Sequence, residues 1–138
     1  MDQASFVELL TARLPEGLVM QNPGEGTSTV MWCDRIRICY KRGDSRLYID
    51  LNELYNAYQQ HRGRSVSTND LKVMAPAVFD SSKNGHNCHC TFFFMALQKM
   101  GIIDEIQGEG RPGHPFAASL PIEATHAEPC AVAGRPRE

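Results

Sequence analysis

The stretch that most limits what this chain can fold into is Thr91-Phe92-Phe93-Phe94-Met95-Ala96-Leu97, closed a turn later by Gly101. The run predicts a helix over residues 90–100, with the glycine as its stop. Successive helical residues point about 100° apart, so three adjacent phenylalanines cannot share one face. A helix that is apolar nearly all round has to be covered on several sides. The remaining elements must therefore wrap it, and 138 residues are enough for one such core.

The flanking sequence supplies the cover. Residues 4–14 read as a helix, with Phe6, Leu10 and Leu14 recurring on one side, Ser5 and Glu8 fitting a capping box, and Pro15 and Gly17 ending it. Asn22-Pro23-Gly24-Glu25-Gly26 is a turn-rich loop whose glycine spacing lacks the rest of a phosphate loop. Residues 27–33, 35–42 and 45–49 read as three antiparallel strands. In the second, Ile36, Ile38 and Tyr40 share one face and Arg35, Arg37, Cys39 and Lys41 the other. In the third, Leu47 and Ile49 oppose Arg46 and Tyr48, and Gly43-Asp44 makes the turn between them. Asp50 caps a helix through His61, stopped by Gly63. Ser67, with Asp70 after it, caps a short helix over residues 68–75 that Pro76 closes. Residues 102–107 and 115–120 form a last hairpin around Gly108-Glu109-Gly110-Arg111-Pro112-Gly113. The expected architecture is a single α+β domain over residues 1–120: an N-terminal helix, a three-stranded antiparallel sheet, three helices and a C-terminal β-hairpin. A flexible tail rich in Ala, Pro and Glu is expected over residues 121–138.

Charge narrows the function classes. The net charge of −2 argues against a strongly basic nucleic-acid binder, yet residues 34–74 alone carry eight cations and five anions. No apolar run approaches a membrane span, and no basic-then-apolar leader opens the chain. With five cysteines, an odd number, the expectation is a cytoplasmic protein with free thiols and no membrane partner.

Two short helices, a third ending in Leu97-Gln98-Lys99-Met100-Gly101-Ile102, and a hairpin with a Gly-Arg-Pro-Gly tip resemble a winged helix-turn-helix over about residues 51–120. In that likeness Gly63–Leu71 leads into the second helix and Gly108–Phe116 is the wing. The resemblance implies a binding module for DNA or for a protein partner. DNA contacts would come from Arg35, Arg37, Lys41, Arg42 and Arg46 on the sheet, Arg62, Arg64 and Lys72 around the second helix, and Arg111 in the wing. Thr68 and Asn69 are the base-reading candidates. The chain departs from the pattern in its third helix, which offers phenylalanines where the superfold shows a polar face, and in the long loop before it.

His86, Cys88, His89 and Cys90 form a separate cluster, open to three readings. They have the donor atoms for zinc, although Cys-x-Cys with interleaved histidines does not easily wrap one ion. Cys90 or Cys88, at a helix start, could be a thiolate nucleophile, with His114, His86 or His89 as base, as in papain-like hydrolases. Or the cysteines are buried small residues and the histidines cap backbone.

The leading expectation is a small binding module without enzymatic activity or cofactor, taking DNA or a protein partner and compatible with a homodimer. An accessory factor of a mobile element would suit that description. The alternative is a Cys/His-site protein, either a thiol enzyme or a zinc-stabilised domain.

Overall fold

The computed structural model describes residues 1–123. It has the expected α+β architecture. Helix α1 (Gln3–Arg13) is followed by strands β1 (Val19–Gln21), β2 (Thr27–Cys33), β3 (Arg37–Arg42) and β4 (Ser45–Asp50), then helix α2 (Leu51–His61). Strand β5 (Ser65–Ser67), helices α3 (Thr68–Met74), α4 (Pro76–Phe79) and α5 (Cys88–Lys99) and strand β6 (Ala117–Ser119) complete it. None of the helices among the described residues is long and apolar enough to cross a membrane. The tail expected over 121–138 lies outside the described residues from 124 onward. Of the three that are described, Ile122 lies against Gly63, and Glu123 faces the Met1 ammonium and Arg62.

Strands β1 to β4 form an antiparallel meander in sequence order, four strands where the sequence suggests three. The added strand, Val19–Gln21, is too short to show a period and is held by its partner Thr27–Thr29. Three local expectations also shift. Asp2, not Ser5, caps α1 by accepting the Ser5 N–H at 2.8 Å. Asp50 precedes α2 without a side-chain cap bond and faces Arg37 instead. Ile36 leaves the face of Ile38 and Tyr40 and is 68% exposed. There the Asp34 carboxylate accepts the Ile36 and Arg37 N–H groups, making a turn before β3 begins.

Helix α5 sits at the centre. Phe92, Phe93 and Phe94 are all fully buried, as an all-apolar helix requires. Phe92 stacks on Tyr40 of β3, ring centroids 3.9 Å apart, and Phe93 meets Phe79 of α4 edge-on. Gly101, at φ +79°, ends the helix. Its N–H donates to Gln98 O and the Ile102 N–H to Leu97 O, the paired bonds of a glycine-terminated helix. On the other side Phe6 of α1 stacks on Tyr58 of α2.

After α2 the chain builds a second, smaller ladder. Ser65–Ser67 pairs antiparallel with Ala117–Ser119, and α3 springs directly from β5. The Ser67–Asp70 capping box forms as expected. The C-terminal hairpin is held where Gln107 and Ala117 exchange both backbone bonds (2.7 and 2.9 Å) and again where Arg111 meets His114. Pro76 opens α4 rather than closing α3, since a helix's first residue needs no N–H partner.

Candidate functional site: a cleft between two helices and the glycine-rich tip

Thr68, Asn69 and Lys72 of α3, Asn87 and Thr91 at the start of α5, and Arg111 at the hairpin tip surround one cleft of ≈ 340 Å³. Pro115 and Phe116 form part of its wall. The tip is fixed to the helices by a bond from the Thr68 N–H to Phe116 O at 3.0 Å. The Phe116 ring lies against Gly110 and Gly24, so the Asn22–Gly26 loop serves as a packing surface for the tip. Asn22 shapes that loop by donating to Glu25 O and accepting from Ser28 Oγ. At the cleft margin Arg42 reaches across from β3, donating to Thr91 Oγ1 at 3.3 Å.

Four of the residues nominated from sequence as DNA contacts, Thr68, Asn69, Lys72 and Arg111, therefore share one site although they come from segments far apart in the chain, and the buried Cys90 adjoins it. Arg42 joins them through Thr91. The others do not. Arg62 lies over the Tyr58 ring at 5.9 Å, and Arg64 donates to Gln60 O at 2.7 Å, so both close the end of α2. Arg37, Lys41 and Arg46 lie on the sheet face away from α5, and Arg35 is exposed in the turn before β3. Arg111 is paired, its Nε donating to Glu109 Oε1 at 2.7 Å, which offsets part of its charge. Asn87 was not singled out from sequence; a loop asparagine beside turn residues carries no periodic signal.

In the Cys/His cluster Cys90 and His89 are buried, Cys88 is half-buried and His86 is exposed. Cys90 is 1% exposed, its thiol faces Phe79 O and Thr68 O, and burial pushes its pKa up to about 12. Among the described residues no hydrogen bond joins that thiol to a histidine. A helix start favours thiolate only where solvent or a cation reaches the sulfur, and here desolvation outweighs it. His114 is held in the tip, with its backbone paired to Arg111. His89 Nδ1 lies 2.8 Å from the Tyr40 hydroxyl. Burial pushes the Tyr40 pKa far up, so its hydroxyl stays protonated and donates, and the imidazole accepts. His86 packs edge-on against His89. Among the described residues no three His, Cys, Asp or Glu side chains come together in a way that could hold a metal ion.

His89 sets a pH dependence for the fold. Burial, with His86 beside it, pushes its pKa down from 6.5 to about 4. Between those values the unfolded chain binds a proton that the native chain refuses. Stability from this site is thus complete above pH 6.5 and falls as pH drops toward 4, by up to about 3 kcal/mol. Urea midpoints measured across that window should decline in the native protein and decline less in His89→Gln, which keeps an acceptor for Tyr40. Parallel curves would show that His89 is not the titrating group.

Compared with protein-family models, with curated proteins and with solved structures, the chain matches none.

Proposed function

We propose that this chain is a nucleic-acid-binding module of the winged helix-turn-helix type, using the rim of the cleft between α3, the start of α5 and the hairpin tip to grip the backbone of duplex DNA. The observation that carries the reading is the convergence of Thr68, Asn69, Lys72 and Arg111 with Asn87 and Thr91 around one open cleft. The order α2, β5, α3, α5, hairpin, with β5 paired to β6, supports the likeness, with α4 as an insertion. Lys72 and Arg42 would neutralise phosphates, while Thr68, Asn69 and Asn87 offer neutral hydrogen-bonding groups. In this reading the buried phenylalanines of the third helix serve the core and take no part in recognition. Only its first turn faces the cleft, so base reading would fall to short polar side chains there rather than to a long basic stripe.

The test is fluorescence anisotropy with a labelled duplex over a salt series. Affinity should fall steeply with salt. Lys72→Ala should weaken binding across sequences and reduce the log–log salt slope by about 1. Salt-independent binding would sink this reading. A protein partner is the second reading, favoured by Val73, which stands 83% exposed on α3. Loss of partner binding in Val73→Ser without any response to duplex DNA would select it.

A further inference from the structure

The sheet has a face that the cleft does not use. Its register puts Val19, Thr29, Lys41 and Arg46 in one row on the side away from α5, and Trp32, Cys39 and Tyr48 in the next. Trp32 reaches that row only because of a bulge between Val30 and Trp32. In uninterrupted register Met31 would oppose Cys39, and Trp32 would oppose Ile38, whose side chain is fully buried on the inner face. One inserted residue inverts the alternation and aims the indole outward.

Trp32 is 38% and Tyr48 50% exposed, with ring centroids 6.1 Å apart. Cys39, on the strand between them, has no exposed surface, so the two rings make a continuous roof over it. In the neighbouring row Lys41 and Arg46 are direct cross-strand partners, an arrangement of like charges that works against the sheet. Both are exposed, and among the described residues neither forms a salt bridge. Beyond the aromatic row Arg37 is already offset by Asp50 at 3.5 Å. Uncompensated positive charge thus lies two residues along the strand from the rings, roughly 7 Å away. That is comparable with the reach from a phosphate to its own base.

The geometry points to a second binding site: this outer face takes single-stranded nucleic acid, stacking bases on Trp32 and Tyr48 and holding phosphates with Lys41 and Arg46. Exposed aromatic side chains on a sheet face suit unpaired bases, whereas a duplex shows no base faces to stack. An acidic peptide would meet the same cations but would offer the rings no base to stack on. The site rests on different residues from the cleft and does not depend on it.

Trp32 is the only tryptophan in the chain, so its emission reports directly on the platform. Titrating the full chain with oligothymidylate of about 16 nucleotides at low salt should quench that emission. By anisotropy of the labelled strand, Tyr48→Ala should weaken binding on the order of tenfold. Lys41→Glu with Arg46→Glu should weaken it at least as much, and Tyr48→Phe should retain it. Lys72→Ala should leave it unchanged, which separates this site's failure from that of the cleft. Binding without quenching would overturn the proposal, as would unaltered affinity in the Tyr48→Ala and Lys41/Arg46 variants. So would equal quenching by a glutamate homopolymer, which would make the face a general anion or peptide surface. Circular dichroism of each variant guards against unfolding, and the Lys41/Arg46 double variant, altered only at exposed positions, decides should Tyr48→Ala lose its fold.

Discussion

Phe92→Ala should destabilise the protein by about 3–5 kcal/mol, the usual cost of emptying a phenylalanine site in a closed core. Against the 5–15 kcal/mol typical of a whole domain, that leaves the variant close to unfolding at ordinary temperature. The size of the effect follows from position. Phe92 has no exposed surface and lies parallel to Tyr40, with 7° between the rings. Its loss would also unseat the Tyr40 hydroxyl from His89. Phe92→Leu should recover a substantial part of the loss, since it refills much of the volume. Urea unfolding of the three proteins decides the matter. A cost below about 1 kcal/mol would mean that the sheet can close on α5 without the ring, a collapse that core sites seldom achieve.

Gly108→Ala should cost both stability and duplex binding. Gly108 sits at φ +91°, and a Cβ there would fall on the Pro115 carbonyl oxygen, well inside van der Waals contact. The atoms it would meet, Pro115 O and C and Phe116 Cα, are all backbone, so no side-chain rotation relieves them. The arms of the hairpin must part at Gln107–Ala117, next to the contact. Strain of this kind costs about 1–3 kcal/mol. The hairpin tip carries Arg111 and the Phe116 wall, so duplex affinity should drop by at least about tenfold, a loss of roughly 1.4 kcal/mol. Anisotropy and thermal unfolding of the same sample separate the two effects. Unchanged affinity in a folded variant would remove the tip from the interface.

What could be read from the sequence follows the range over which each signal acts. The all-apolar helix, its glycine stop, the Ser67–Asp70 box and the hairpin over Lys41–Leu47 are decided by neighbours a few residues apart, and each forms. Strands β1 and β5 escape notice because three residues carry no period, and β5 exists only through a partner some fifty residues away. Cys39 shows where alternation misleads. It lies on the outer face as its parity demands, yet it is buried, because the side chains on the adjacent strands meet above it. The cleft was half legible. Its cationic and polar members have recognisable chemistry, but the separation of Arg62 and Arg64 from Lys72 depends on how α2 ends. The bulge that turns Trp32 outward has no sequence signature at all.

Helix α5 also governs how the molecule comes apart. The four-stranded meander rests on it through Tyr40 and Phe92, and α4 rests on it through Phe79 and Phe93. Once this helix leaves, the meander keeps its contact with α2 but loses the ring stack on Tyr40. The chain should therefore lack a half that opens while the other stays shut. Amide protons in β3 and in α5 should share one slow exchange class, set by global unfolding rather than by local fraying. Cutting the chain between Asp50 and Leu51, where the four-stranded ladder ends, would yield two fragments that each lack half of their interior rather than two small domains.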